Sequence, residues 1–238
     1  MTFAGVKLQI EVVCPDCCST KVVRNGVKKT GKQNLLCKDC RRQFQCEYRN
    51  KGSDPQVKEK LVKMLVRGSG IRDCMAVLGV SFCCVLATIL REGKDIEIKP
   101  KRKIYRSVQI DEQWSYVGKK EKKVWMIYAL CIETGEILAA SWGKRNKTGV
   151  RRLMMKLKKA EIESYCTDNW QAFAEVLPKD KHKRGKQFTK KIEGVNTWFR
   201  ARLRRLARRT TGFSKKLVYH WSMMKIAIKK RNEHTSYI

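Results

Sequence analysis

The chain has 238 residues, 42% of them hydrophobic, and its 54 Lys and Arg against 22 Asp and Glu give a formal charge of +32. This apolar share excludes a disordered basic tail, and the length allows one large domain or a compact domain with small additions. So large a positive charge favours a polyanionic partner, and nucleic acid comes first because each neutralised phosphate releases a counterion. A membrane partner is not expected, since no stretch approaches the roughly 18 consecutive apolar residues of a span.

The N-terminal residues 1–17 show no basic segment followed by a long apolar one, so no secretory signal is expected. We therefore expect a cytoplasmic protein. In that compartment the 11 Cys are metal ligands or buried thiols rather than a disulfide framework.

Residues 10–50 contain two C-x-x-C knuckles, CPDC at 14–17 and CKDC at 37–40. Four thiolates from two tight turns match the tetrahedral coordination of Zn²⁺, so Cys14, Cys17, Cys37 and Cys40 are predicted to form a structural zinc ribbon. The alternatives are four unliganded thiols in a small core, or Cys18 replacing Cys17 as a ligand.

The predicted ribbon is short-stranded, and Asn25-Gly26 predicts a hairpin turn within it. It also carries a set of basic side chains that could contact phosphates. The same charges would equally suit a solvated surface. These side chains are Lys28, Lys29, Lys32, Lys38, Arg41 and Arg42.

Residues 54–91 read as three short helices, the first beginning at Asp54-Pro55. One face of that first helix is predicted to be apolar through Val57, Leu61, Met64 and Leu65. A glycine-containing turn at 77–82 then fits a helix-turn-helix. The third helix begins Ser-Phe-Cys-Cys at 81–84 and is poor in the Arg, Asn and Gln that read bases. Base reading and simple packing are both open for this helix.

Residues 92–106 read as a linker, and 107–238 as a larger domain in which strands and helices alternate. The fold class is therefore α+β or α/β. Residues Glu133 to Glu136 predict a turn between the second and third strands. The predicted strands are 107–118, 123–132, 136–143 and 162–170, and the predicted helices are 147–160 and a long one over 189–209.

Three carboxylates of the larger domain are candidates for one site: Asp111 within a strand, Asp168 at a strand end and Glu193 on the last helix. Acids so placed can converge on a pair of divalent ions that activate a water and stabilise the leaving oxygen of a phosphodiester. The alternative for each is a surface acid or a salt bridge. Since strand side chains alternate in direction, Glu112 is expected on the opposite face, paired with a Lys or Arg.

The long helix places Asn196 and Arg200 on the same face as Glu193. After them, residues 200–209 carry six Arg in ten positions, and so dense a run of like charge favours a polyanion over a solvated face. The predicted DNA-contacting residues here are Arg200, Arg204, Arg205 and Arg208.

These motifs together resemble the IS1-family transposases, over about residues 12–232. In the N-terminal part the resemblance rests on the two knuckles, on VRNG (23–26) and CRRQF (40–44), and on the helix-turn-helix segment. In the C-terminal part it rests on the motifs IDEQWSYVG, GKR (143–145), TDNW, PKDKH, GKQFT, IEGVN and RLARRT. The resemblance implies a DDE transposase with an RNase H-like fold and a mixed sheet. It implies the triad Asp111, Asp168 and Glu193, with 56 and 24 residues between successive members.

The resemblance also implies Mg²⁺ or Mn²⁺ at the triad and structural Zn²⁺ in the ribbon. The expected function is a DNA transposase that binds the terminal inverted repeats of its element, cleaves there and joins the ends to target DNA. We expect double-stranded DNA as partner, a homodimer or higher oligomer, and a nucleoid-associated place in a prokaryotic cytoplasm. The alternatives are a non-catalytic DNA-binding regulator of transposition and a related DNA nuclease.

Overall fold

A computed structural model of the chain describes residues 11–46, 51–206 and 212–234. It divides into two compact units, residues 1–60 and 61–238. The division falls inside the first α-helix, α1 (Pro55–Val66). As predicted, this helix begins at Pro55, where the Asp54 carboxylate accepts the backbone N–H of Gln56 at 2.8 Å.

The first unit contains a three-stranded antiparallel sheet in the order β1 (Val22–Val27), β2 (Gln33–Cys37), β3 (Gln43–Phe44). The hairpin turn predicted at Asn25-Gly26 is wrong, because both residues lie within β1. Gly26 has φ +71° where the register of β1 and β2 shifts, so it accommodates a bulge. The chain reverses at residues 28–31 instead, where Gly31 donates to the Lys28 carbonyl.

Two further helices, α2 (Ile71–Leu78) and α3 (Phe82–Lys94), lie at 112° to each other. Gly79 ends α2 in the left-handed conformation, and the Ser81 hydroxyl caps α3 by accepting the Cys84 N–H. A three-residue turn and this angle are the geometry of a helix-turn-helix. Along the described residues no single helix has the length and apolarity to cross a membrane; α2 and α3 taken together as a bent pair pass this test by length and composition only.

The larger sheet has five strands in the order β6-β5-β4-β7-β8. The first three pair antiparallel, while β4 with β7 and β7 with β8 are parallel, so the sheet is mixed as the resemblance implied. Its strands are β4 (Ile104–Val117), β5 (Lys119–Cys131), β6 (Ile137–Gly143), β7 (Glu161–Thr167) and β8 (His182–Arg184). The predicted turn at Glu133 to Glu136 does connect β5 with β6.

Four helices accompany this sheet: α4 (Lys147–Leu157), α5 (Gln171–Val176), α6 (Lys190–Arg202) and α7 (Leu217–His234). A core of buried side chains from β4, β5, β6 and β7 packs against α4 and α5, with Ile110, Leu153 and Phe173 fully buried. The α+β class, with zinc ribbon and mixed sheet, is confirmed.

The long helix predicted over 189–209 is wrong in its length. Helix α6 ends at Arg202, Leu203 is extended, and a 3-10 turn covers Arg204–Leu206. Leu203 and Leu206 are nevertheless buried. Because a 3-10 turn has about three residues per turn, residues spaced by three stay on one face after the α-helix ends.

Helix α3 packs along α7, in the same compact unit as the sheet. Val85, Thr88, Ile89 and Gly93 form the buried face of α3, and Gly93 lies against the backbone of Ser222 on α7. The inner face of α3 therefore serves packing, one of the two roles left open by the sequence, while Phe82, Cys83 and Arg91 remain exposed.

Candidate zinc and carboxylate sites

The four predicted zinc ligands, Cys14, Cys17, Cys37 and Cys40, lie together, with all four Sγ atoms within 4.8 Å of one another. The Cys14–Cys40 and Cys17–Cys37 Sγ distances are 3.5 and 3.6 Å. Tetrahedral Zn–S bonds of about 2.3 Å place sulfurs about 3.8 Å apart. The donor set and its spacing therefore fit Zn²⁺.

The two knuckles have the same backbone geometry. The N–H of Cys18 donates to the Cys14 carbonyl and the N–H of Arg41 to the Cys37 carbonyl, both at 3.0 Å. Cys18 and Arg41 are also the described non-glycine residues with positive φ, at +56° and +63°. Cys18 is thus the residue that turns the chain after the knuckle, and Cys17, as predicted, belongs to the cluster.

Backbone donors favour the thiolate form of the first cysteine of each knuckle. The N–H of Cys17 lowers the pKa of Cys14 to about 7, and the N–H of Cys40 lowers the pKa of Cys37 in the same way. Thiolates are the form that binds zinc.

Of the predicted phosphate contacts in the ribbon, Arg41 is exposed. Arg42 instead forms an ion pair with Asp16, and this pairing lowers the pKa of the Asp16 carboxyl. The ribbon therefore offers one arginine to solvent beside its second knuckle.

The carboxylate site lies where β7 leaves the sheet. Parallel pairing of β4 with β7 extends only to Gln109 and Cys166, and β7 ends at Thr167. Asp111 lies two residues beyond the last pair, and Asp168 directly follows β7. One carboxylate oxygen each from Asp111, Asp168 and Glu112 fall within 4.8 Å of one another.

Backbone and side-chain donors fix the two aspartates. Asp111 Oδ1 accepts the N–H of Glu112, and its Oδ2 accepts the Asn196 amide, both at 2.7 Å. The Tyr128 hydroxyl in turn donates to Asn196 Oδ1 at 2.9 Å, which orients that amide. Asp168 Oδ1 accepts the N–H of Trp170 at 3.0 Å.

Glu193 lies in the first turn of α6, exposed to solvent. Its Oε1 accepts the Thr189 hydroxyl at 3.2 Å, and Glu193 is not among the three acids within 4.8 Å. Helix α6 is fixed to the sheet beside it, because Gln109 Oε1 accepts the N–H of Ile192 at 2.7 Å. The structure thus joins two of the three predicted acids and holds the third nearby on a fixed helix.

The expectation that Glu112 lies away from Asp111, on the opposite face of β4, is wrong for its carboxylate. Glu112 does pair with a base, Arg145, as expected. Yet its carboxylate also lies beside Asp111 and Asp168. The pleat still directs the two Cβ atoms to opposite faces, but β7 does not pair with β4 beyond Gln109, so the edge of β4 beside the two acids is not covered by β7. A long side chain can therefore reach around this open edge.

Burial makes the acids hard to ionise. It raises the pKa of Asp111 to about 6, with the charges of Asp168 and Glu193 adding to the effect, and it raises the pKa of Glu112 to about 7. Oxygen donors at this spacing suit a hard divalent cation such as Mg²⁺ or Mn²⁺, which would reverse both shifts. Buried Glu112 Oε2, which has no hydrogen-bond partner among the described residues, supports that fit.

The predicted DNA-contacting arginines have different surroundings. Arg200 is exposed on α6, and Arg204 is exposed with a 3.4 Å contact to Asp73. The Arg205 guanidinium points into the protein, donating to the Ser214 hydroxyl and the Tyr219 carbonyl, and burial lowers its pKa to about 10. Arg208 lies outside the described residues.

Arg145 and Trp170 adjoin the carboxylates but were not among the predicted site residues. The Arg145 guanidinium carbon lies 4.2 Å from the centroid of the Trp170 ring. Both residues stand in motifs that carried the family resemblance, GKR and TDNW, and Trp170 follows Asp168 by two positions. That proximity to a predicted ligand was the available signal.

Comparison with known proteins identifies the family of the chain. A family model described as IS1 transposase matches residues 105–233, which is more than half of the chain. The chain belongs to the IS1 transposase family. A second family model, described as the InsA N-terminal domain with a zinc ribbon, matches residues 9–41.

Individual relatives of this IS1-family transposase each match about half of its length. The iso-IS1n insertion element protein InsB of Shigella dysenteriae is 38% identical over 122 residues, which are 51% of this chain and 93% of the relative. The IS1 4 insertion element protein InsB of Escherichia coli K12 is 32% identical over 123 residues, 52% of this chain and 74% of the relative.

Among solved structures, a chain of the simian T-cell lymphotropic virus intasome in complex with PP2A regulatory subunit B56 gamma is 12% identical. The alignment covers 71% of this chain and 64% of that one, with a TM-score of 0.36. A likeness at that level supports no conclusion about this chain.

Proposed function

We propose that the chain is a DNA transposase that binds the terminal inverted repeats of its own element and catalyses metal-dependent strand cleavage and strand transfer. The observation that carries this proposal is the convergence of Asp111 and Asp168 at the open end of the β4–β7 pair, in an IS1-family chain of charge +32. Half-buried acids held together in so basic a protein need a cation, and the basic surface needs a polyanion.

In this proposal Asp111, Asp168 and Glu193 are the catalytic carboxylates. A divalent ion bound there would activate water or a DNA 3′-hydroxyl and stabilise the leaving oxygen. Asn196 and the Glu112 N–H hold Asp111, and the Trp170 N–H holds Asp168, so both acids are oriented before DNA arrives. A rotamer change of Glu193 away from Thr189 would complete the set.

DNA would be held by exposed cations around the site. Arg200, two helical turns after Glu193, would contact a backbone phosphate, and Arg204 would supply a further contact. Arg41, exposed on the separate ribbon unit, would contact DNA phosphates there. We assign Arg205 a structural role because its guanidinium donates hydrogen bonds to other residues of the protein. Cutting two element ends and joining them to one target calls for at least two active sites, hence a homodimer or larger assembly acting at the nucleoid.

The test is Asp168→Asn, assayed on DNA carrying the ends of the element. Removing one carboxylate of the site should cost several kcal/mol of transition-state stabilisation, which is about 10³-fold or more in Mg²⁺-dependent cleavage, with DNA affinity unchanged. Asp180→Asn is the control, since Asp180 is an exposed acid outside the site.

Normal cleavage by Asp168→Asn would refute the site assignment. Cleavage by the wild-type chain without strand transfer would indicate the nuclease alternative. DNA binding with neither reaction would indicate the regulator.

A further inference from the structure

The Glu112 carboxylate has one oxygen that accepts hydrogen bonds and one that accepts none from the described residues. Its Oε1 accepts the Arg145 Nε at 2.6 Å and Nη2 at 2.5 Å. Its Oε2 is buried and has no hydrogen-bond partner among the described residues, and the whole side chain is only 8% exposed. A buried carboxylate oxygen that nothing satisfies is costly, so its retention points to a partner that binds there.

Arg145 holds Glu112 in a fixed direction. Its guanidinium carbon lies 4.2 Å from the Trp170 ring centroid and 5.4 Å from that of Trp125, so two indole rings constrain the cation. Trp170 also donates its backbone N–H to Asp168. The same tryptophan therefore positions the arginine that orients Glu112 and the aspartate that lies beside it.

The direction that Arg145 imposes brings Glu112 to the aspartates. One oxygen from each of Asp111, Glu112 and Asp168 lies within 4.8 Å of the other two. Because Oε1 already accepts two bonds from Arg145, Oε2 is the atom with free lone pairs for a cation. A purely structural Glu–Arg pair gives no reason for a second oxygen to remain unsatisfied next to two other acids.

We propose that Glu112 is a further metal-binding carboxylate of this site, ligating a divalent cation through Oε2, and that Arg145 is its positioning residue. This inference rests on the proposed function for the site's role, but metal binding itself can be measured without any reaction. Glu112 would hold the ion with Asp111 and Asp168 before Glu193 turns towards it.

The experiment measures Tb³⁺ binding to the full, zinc-loaded chain by luminescence sensitised through the neighbouring tryptophans, with Mg²⁺ and Mn²⁺ as competitors. Tb³⁺ is a hard, oxygen-seeking ion that the thiolates of the ribbon do not favour. Glu112→Gln should weaken binding by about tenfold to a hundredfold. Glu136→Gln, a buried acid in the turn just before β6, is the matched control and should bind as the wild type does.

Two further variants keep the charge of the site. Glu112→Asp withdraws the carboxylate by one methylene and should also weaken Tb³⁺ binding, with melting curves confirming that each variant folds. Arg145→Lys keeps the cation but loses the two-pronged contact, so binding should fall severalfold if Arg145 positions Glu112. Unchanged affinity in Arg145→Lys would overturn that role.

The outcomes separate this inference from the proposed function. If Asp168→Asn loses Tb³⁺ binding while Glu112→Gln and Glu112→Asp retain it, Glu112 is not a ligand, yet the metal site stands. If neither Asp111→Asn nor Asp168→Asn alters binding, the metal site behind the proposed function fails as well.

Discussion

Substitution of Gly93 tests the contact between α3 and α7. A Cβ built at Gly93 would lie 2.5 Å from Ser222 Cβ, 2.7 Å from its Cα and 2.9 Å from its carbonyl oxygen. Ordinary contacts of a Cβ begin near 3.4 Å, so the two helices would have to separate by nearly 1 Å. Overpacking of this kind costs about 1–3 kcal/mol or more, and two of the three atoms belong to backbone that cannot rotate away.

The expected net effect of Gly93→Ala is a loss of about 2 kcal/mol in the free energy of unfolding, after a helix-propensity gain of up to about 1 kcal/mol. In a unit of this size that lowers Tm by about 4–8 °C, measurable by thermal denaturation followed by circular dichroism. Gly194→Ala in α6 is the matched control, because no heavy atom of the described residues lies within 4 Å of a Cβ built there. It should be neutral or raise Tm. If the two variants melted alike, the close packing of α3 on α7 would be refuted.

Two further predictions concern the cysteines and a buried histidine. Cys17→Ser should release zinc and reduce the protection of residues 11–46 against hydrogen exchange. Cys18→Ser should still carry one equivalent of zinc, as measured by mass spectrometry. Equal zinc loss in both variants would contradict the ligand assignment. Burial and the nearby Arg205 lower the pKa of His220 to about 3. In the unfolded chain the His220 imidazole takes up a proton near pH 6.5, whereas in the folded chain it stays neutral. The free energy of unfolding therefore has its full value well above pH 6.5 and decreases as the pH falls below it. Between pH 6.5 and 5 wild type should therefore lose about 2 kcal/mol more than His220→Gln in urea titrations, and parallel pH profiles would argue against a neutral buried His220.

Local sequence motifs were enough to predict the zinc ligands, the start of α1 and the turn before β6. In each case neighbouring residues determine the structure: two cysteines per knuckle, an Asp before Pro55, a glycine at 135 with φ +69°. The convergence of Asp111 with Asp168 was also predictable, because a mid-strand residue and the residue ending a parallel neighbour meet at one edge of the sheet.

The missed elements depend on tertiary contacts. Helix α7 had no counterpart in the sequence-based predictions, because its apolar residues do not recur with the period of an amphipathic helix. They are nearly consecutive and all buried: Met223, Met224, Ile226, Ala227 and Ile228. Helix α5 and strand β8, with six and three residues, are too short to show a period. The placement of Glu112 depended on where β7 leaves β4, which the alternation of side chains does not reveal.

The packing of α3 on α7 has a geometric consequence for any DNA that α3 holds. Since α3 and the carboxylates belong to one compact unit, their separation is set by packed helices rather than by a flexible tether. One base pair advances the duplex by about 3.4 Å, which is more than such packing can absorb. Under the proposed function, inserting one base pair between the segment bound by α3 and the cleaved bond would move the phosphate out of reach, so the length of DNA between them would be fixed by the protein.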